Sequence, residues 1–300
     1  MKLKQLIIPI YNRFLCLESF LFPKLRSKKL FKKMVGYKCN LKKPETLNEK
    51  LMYNKLNLYW NNELVSQCAD KYRVRSFVKD NGLENILNPI YGSWDSFDEI
   101  NWDILPQKFV LKLNTGSGCN LICLDKAKFD IKAARKIVKK WFETKHGLLT
   151  AEQGIYQKIE KKIIAEKFIE TPDNLPPSDY KIFCSYGDVK LIYVASDRYD
   201  HKTKFDFYYP SWEWIPVQNS HPNAGPKEKP KHYDLMLKYA SILSKRFPLV
   251  RIDFFNVDGV IIFGEITFTH MGCVHPFTPE SFDKKFGDLF PSVFDANTIK

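Results

Sequence analysis

Residues 251–269 read RIDFFNVDGVIIFGEITFT. One apolar run passes through Ile252, Phe254 and Phe255, and a second through Val260, Ile261, Ile262 and Phe263. Between them stand Asn256, Asp258 and Gly259, which suit a tight turn, so the stretch is predicted to be a two-stranded hairpin. Two carboxylates, Asp253 and Glu265, sit inside the runs. A charge buried in a hairpin is costly unless something pairs with it. A divalent cation would pair with both, and oxygen ligands bridged to phosphate suit magnesium. The hairpin is therefore either the floor of a nucleotide site or a surface hairpin with two solvated acids. The second alternative leaves the apolar neighbours on both sides of each acid unexplained.

The 300-residue chain is long enough for a large core in one or two domains, with room for three small lobes. Its 44% hydrophobic and 27% charged residues are ordinary for a soluble protein, but a net charge of +13 is not. Such a surface favours anions: nucleotides, acidic sugars, an anionic membrane face or nucleic acid. The lysines are scattered, with no aromatic-interleaved motif, which ranks nucleic acid low. Aromatic residues make up 15%, suiting sugar or base stacking as well as core packing. Seven cysteines without a CxxC pair argue for reduced thiols rather than a disulfide framework. No apolar run reaches the roughly 18–20 residues of a membrane span, and a cytoplasmic location is expected.

Residues 1–31 mix apolar, aromatic and basic groups, and Pro9, Asn12 and Arg13 break the apolar run. With no small-residue cleavage site, a signal peptide is not expected. Two alternatives remain. The favoured one is a helical lid packed on the core with a lysine-rich outer side. The other is an amphipathic segment resting on an anionic membrane face through Lys28, Lys29, Lys32 and Lys33. Further on, Thr46 and Glu49 match a capping box that opens a helix over 44–60. Residues 65–81 are predicted as one more helix, ending at Gly82.

Residues 108–125, KFVLKLNTGSGCNLICLD, read as strand, glycine loop, strand. The pattern is neither GxxxxGK[ST] nor GxGxxG. A glycine loop between antiparallel strands can fold its backbone N–H groups over phosphates, and Lys112 just before it can reach an anion. Most Gly-Ser-Gly hairpins are nevertheless only turns. Beyond it, a helix is predicted over 132–142 and a strand over 159–170. Two strands, 180–183 and 189–195, flank the turn Tyr186-Gly187-Asp188, and a helix over 233–246 is stopped by Pro248. Residues 197–209, DRYDHKTKFDFYY, are expected to form a loop over the site, and 211–226 to have little regular structure.

The phrases LNEKL, ADKYRVR, KFVLKLNTGSGCN, SDYKIF and RIDFFNVDGVIIFGEITFT, in that order across residues 43–289, resemble the TupA-like branch of the ATP-grasp superfamily. The resemblance implies an α+β fold with two α+β lobes gripping ATP between them, behind a helical N-terminal extension. The implied divisions are 1–42 for the basic, apolar extension and 43–107 for an N-terminal helical/α+β lobe. Residues 108–165 would be the small lobe with the glycine loop, and 166–300 the large lobe with the metal-binding strands. Site roles are implied position by position. Lys112 is similar to the strand lysine on the α- and β-phosphates, and Thr115, Gly116, Ser117 and Gly118 to the mobile loop over the β- and γ-phosphates. Glu166, Lys167, Phe168 and Ile169 would form the hinge that holds adenine, Asp179 would meet ribose, and Lys181 a phosphate. Asp253 and Glu265 would be magnesium ligands. Thr267 stands where many such ligases carry an asparagine ligand, and its hydroxyl would coordinate less strongly. Arg251 would steady the acyl-phosphate region. His201, His270 and His275 would fall near the acceptor, with His270 and Arg198 chosen for substrate contact.

This branch is tied to teichuronopeptide and to capsular or O-antigen polysaccharide synthesis, and its members are often labelled glycosyltransferases. The implied reaction is an ADP-forming carboxylate–amine ligation through an acyl phosphate, with ATP and Mg2+. An acidic sugar or polysaccharide precursor, joined through a uronic acid carboxyl to an amino acid or other amine, would suit the basic surface. The alternatives are a glycosyltransferase using a nucleotide sugar, an ATP-grasp phosphotransferase, or a non-catalytic anion-binding module. No convincing DxD motif beside a Rossmann-like half supports the first, and intact Lys112, Asp253 and Glu265 argue against the last.

Overall fold

The computed structural model describes residues 2–145, 147–172, 175–198 and 202–291, with side chains from residue 12 onward. His146 and His201 lie outside the described residues. Helices α1 (Lys2–Leu21) and α2 (Pro23–Val35) precede α3 (Leu47–Tyr53). The expected capping box starts α3: Thr46 Oγ1 accepts from the Glu49 N–H at 3.2 Å, and Glu49 Oε2 accepts from the Thr46 N–H at 3.3 Å. The single helix expected over 65–81 is instead two, α4 (Glu63–Ala69) and α5 (Val74–Asp80). Asp70 makes the break. Its Oδ1 accepts from the N–H groups of Tyr72 at 2.8 Å and Arg73 at 3.2 Å, which competes with helical bonding and leaves Lys71 on a corner.

The smaller of two antiparallel sheets contains β1 (Ile90–Trp94), β2 (Phe109–Leu113), β3 (Asn120–Cys123) and β4 (Ile163–Lys167), in the order β1-β4-β2-β3. Helix α6 (Ile131–Glu143) covers one face, setting Ala134, Val138 and Trp141 against Phe109, Leu111 and Ala165. A short helix, α7 (Gln153–Tyr156), precedes β4.

The larger sheet contains β5 (Asp179–Ser185), β6 (Asp188–Ser196), β7 (Lys204–Tyr208), β8 (Trp214–Ile215), β9 (Val250–Val257) and β10 (Val260–Thr267). Its order is β10-β9-β5-β6-β7-β8. Strand β7 corrects the loop expected over 197–209. Phe205 and Phe207 pair with Ala195 and Tyr193 and are buried, so the apolar alternation outweighs Lys204 before them and Asp206 between them. Strand β8 likewise falls in a segment expected to be irregular.

Strand alternation sorts the two faces of this sheet. Ile182, Ile192, Val194, Ile252 and Phe254 pack with Met236, Ala240 and Leu243 of α8 (Tyr233–Ser244). Phe183, Leu191, Tyr193, Phe205 and Phe207 turn the other way, into a core with Phe31 of α2, Leu51 of α3 and Phe286 of α9 (Ser281–Gly287). The hairpin at 251–269 is present as expected. Its two-residue turn, Asp258-Gly259, has positive φ at both positions, 51° and 93°, and the Gly259 N–H donates to Asn256 Oδ1 at 2.9 Å.

Candidate active site

Four strands of the larger sheet place polar residues in one row, three of them charged. Glu265 on β10 stands opposite Asp253 on β9, Asp253 opposite Lys181 on β5, and Lys181 opposite Tyr193 on β6. The next row brings Thr267, Arg251 and Phe183 into register. A β-bulge at Gly264 creates this alignment, because β10 spends two residues, from Phe263 to Glu265, while β9 spends one. Without it Glu265 would share a face with Phe263, which is buried against Phe254 in the apolar core. A Cβ on Gly264 would lie 3.0 Å from the Asp253 carbonyl oxygen, so the close approach needs glycine.

The row is held by an ion network. Asp253 is 1% exposed. Its Oδ1 accepts from Arg251 Nε at 2.7 Å and its Oδ2 from Arg251 Nη2 at 2.7 Å, and Oδ2 also pairs with Lys181. Lys181 reaches Asp179 Oδ2 at 2.7 Å as well, and Arg198 reaches the same oxygen at 3.2 Å. Arg251 Nη2 also donates to Glu265 Oε1 at 3.1 Å and to Thr267 Oγ1 at 3.0 Å, and the Thr267 hydroxyl donates to Glu265 Oε1 at 2.9 Å. His270 is 3% exposed and sits behind Arg251, whose Nη1 donates to His270 Nδ1 at 2.7 Å.

Protonation follows these contacts. Burial would raise the Glu265 carboxyl, but Lys71, Lys181 and Arg251 outweigh it and bring the pKa down to about 2. Burial would likewise lower Lys181, yet Asp179 and Asp253 push it up. Burial, reinforced by the Arg251 charge, pushes His270 well below the ordinary histidine range. Its ring is therefore neutral near pH 7, with Nδ1 accepting and the proton on Nε2.

On the smaller sheet, Lys112 Nζ lies 2.6 Å from Glu166 Oε2. Asn88 Nδ2 donates to the Lys167 carbonyl at 2.8 Å, and the Lys167 N–H donates to the Pro89 carbonyl at 2.9 Å. Phe168 and Ile169 continue from β4 as a half-buried segment outside it. In the glycine loop Thr115 is buried, whereas Ser117 and Gly118 are exposed. Asn114 pins the loop's base: its Nδ2 donates to the Glu160 carbonyl at 2.9 Å and its Oδ1 accepts from the Lys162 N–H at 2.8 Å.

Asp179, Lys181, Arg198, Arg251, Asp253, Glu265, Thr267 and His270 thus form one connected network, and Lys112 with Glu166 a separate pair. Lys71 links the glycine loop to the network, because its Nζ donates to the Gly116 carbonyl at 2.7 Å and stands 3.7 Å from Glu265 Oε2. The sequence reading did not single out Lys71. It lies in the phrase ADKYRVR, but its role depends on the corner at Asp70. Tyr193, which accepts from Arg251 Nη1 at 3.3 Å, carries no signal in the sequence.

The donors fit a hard cation in kind, being oxygens only. Among the described residues Glu265 Oε2 has one ion-pair partner, Lys71 at 3.7 Å, and is the open position, whereas both oxygens of Asp253 are already shared with Arg251 and Lys181. Among the described residues, no group of three or more His, Cys, Asp or Glu side chains is placed to hold a metal ion.

Solved structures similar to the chain include an N5-carboxyaminoimidazole ribonucleotide synthetase in its ADP complex, at 13% identity and TM-score 0.44. That match covers 73% of this chain and 50% of the other. A D-alanine–D-alanine ligase from Bacillus anthracis complexed with ATP matches at 16% identity and TM-score 0.44, over 74% of this chain and 64% of the other. The chain thus spans only about half to two thirds of those structures. No curated protein matches it. The TupA-like ATP-grasp family model, in contrast, matches residues 49–291, most of the sequence, and the chain belongs to that family.

Proposed function

We propose that the protein is an ATP-dependent, ADP-forming carboxylate–amine ligase of surface-polysaccharide biosynthesis, joining an amine to a uronic acid carboxyl. The observation that carries the reading is the link through Lys71, which ties the glycine loop to the half-buried Glu265 and through it to the buried pair Arg251 and Asp253. A loop that folds over phosphates, with the cations Lys71, Lys181 and Arg251 and the carboxylates Asp253 and Glu265 beneath it, is what transfer of a phosphoryl group needs. The carboxylate oxygen attacks the γ-phosphorus of ATP, and ADP leaves. The amine nitrogen then attacks the acyl carbon, phosphate departs with the electron pair, and the nitrogen loses a proton. Lys112 and Lys181 hold phosphate oxygens, the 166–169 segment holds the base, and Arg251 draws charge off the acyl phosphate. Glu265, with Asp253 and Thr267, would hold Mg2+, and the ion would supply neutralisation of phosphate charge.

The test incubates the purified protein with ATP, Mg2+ and a panel of uronic acids, with hydroxylamine as the amine. ADP release coupled to hydroxamate formation is expected. ADP release with a stable phosphorylated sugar and no hydroxamate would instead make the protein a phosphotransferase. Turnover of a nucleotide sugar without ATP would make it a glycosyltransferase.

A further inference from the structure

The N-terminal helices carry a surface that the ligase reading does not use. Phe14, Leu17, Phe20 and Leu21 near the end of α1, Phe22 at the helix break and Leu25 in α2 each leave 48–62% of their surface to solvent. Phe14, Leu17 and Leu21 follow i, i+3, i+7 spacing and so form one stripe. The opposite side of α1 is the one that docks. Ser19 is fully buried, and its carbonyl accepts from Gln153 Nε2 at 2.6 Å. Helix α2 is fixed by Phe31 and Val35 to the core on one face of the larger sheet. An exposed apolar group of this size on a packed scaffold marks an interaction site.

The charge around the stripe is one-sided. Lys24, Lys28, Lys29, Lys32 and Lys33 are exposed, and Leu25 has Lys28, Lys29 and Lys32 at i+3, i+4 and i+7. Lys29 pairs with Glu18, whereas Lys24, Lys28, Lys32 and Lys33 make no ion pair among the described residues. Among these residues no helix is long and apolar enough to cross a membrane. Aromatic and leucine side chains bordered by unpaired lysines are the composition of a segment that lies in a lipid interface, with rings among the acyl chains and ammonium groups at anionic headgroups.

We infer that α1 and α2 dock the protein onto an anionic lipid surface, with Phe14, Leu17, Phe20, Phe22 and Leu25 entering the interface and Lys24, Lys28 and Lys32 meeting the headgroups. The inference is independent of the proposed reaction, since neither nucleotide nor acceptor takes part.

The test is cosedimentation of the full chain with vesicles of phosphatidylcholine alone and of equal parts phosphatidylcholine and phosphatidylglycerol. Binding to the anionic vesicles only, weakened by added salt, is expected. Each lysine near the surface contributes about fivefold in partitioning, so a Lys24→Gln, Lys28→Gln, Lys32→Gln variant should bind about a hundredfold more weakly. A Phe14→Ser, Leu17→Ser, Phe20→Ser variant should lose binding as well. Unchanged circular dichroism would show that both variants fold. Failure to bind anionic vesicles overturns the inference, as does equal binding to neutral ones. A dimer in sedimentation velocity that the serine variant abolishes, without vesicle binding, would assign the stripe to a second copy of the chain and overturn it too.

Discussion

Asp253 and Glu265 look equivalent in sequence, yet their surroundings predict opposite outcomes for the same kind of substitution. Asp253→Asn would remove the charge that Arg251 grips twice at 2.7 Å and that Lys181 also contacts. Removing one partner of a buried ion pair costs about 3–5 kcal/mol, because an uncompensated charge stays behind. Lys181 would keep Asp179 at 2.7 Å and Arg251 would keep Glu265 at 3.1 Å, which places the loss near the lower end, about 3 kcal/mol. Glu265 is 35% exposed, and a glutamine amide oxygen could still accept from Arg251 and Thr267. Glu265→Gln should therefore cost about 1 kcal/mol or less, while abolishing turnover if Glu265 holds the metal. The assay is urea denaturation of both variants, compared at equal m so that the midpoints report stability. Equal losses, or a loss below about 1 kcal/mol for Asp253→Asn, would refute the view that Asp253 is the counter-ion anchoring the row.

Lys112→Ala should weaken ATP binding by about 1–3 kcal/mol, the scale of a charge-assisted contact, and calorimetric titration showing unchanged affinity would remove Lys112 from the site. His270 should make stability depend on pH. Its folded pKa lies well below the unfolded value of about 6.5, so the unfolded chain binds the extra proton. The stability it contributes is whole above about pH 6.5 and is lost as pH falls below that. A His270→Gln variant should show a flatter dependence of Tm on pH between about 6.5 and 5 than the parent, and an identical slope would contradict this. Glu265 acts lower: against the effect of burial, Lys71, Lys181 and Arg251 hold its folded pKa below the unfolded value, so its contribution is present above the unfolded pKa and lost as pH falls through the folded one, and partial exposure keeps that contribution within about 1 kcal/mol. Gly264→Ala would set a methyl 3.0 Å from the Asp253 carbonyl and should cost about 1–3 kcal/mol in the same urea assay, with no measurable change counting against the bulge geometry.

Local chemistry was readable wherever neighbours in the chain settle the conformation. The capping box at Thr46 and Glu49 and the Asp258-Gly259 turn form as the residues indicate, because each is closed by bonds within a few positions. The misreadings occurred where a local cue competed with a pattern. Asp70 bonds two following N–H groups and splits a segment whose spacing looks like one helix. In 204–208, burial of Phe205 and Phe207 against β6 overrides a polar composition that looks like a loop.

The sequence by itself determined that two acids would lie in a hairpin of strands, that a lysine and a glycine loop would lie on a separate strand pair, and that five phrases stand in the order of one family. Alternation, turn chemistry and residue order carry that information. The tertiary structure alone decided which groups touch. Strand parity would have turned Glu265 onto the side of Phe263, and the Gly264 bulge brings it opposite Asp253. Lys71 reaches both Gly116 and Glu265 only because a corner at Asp70 aims it there. Those contacts join residues far apart in the chain, and their geometry is fixed by sheet register and packing, which no local pattern encodes.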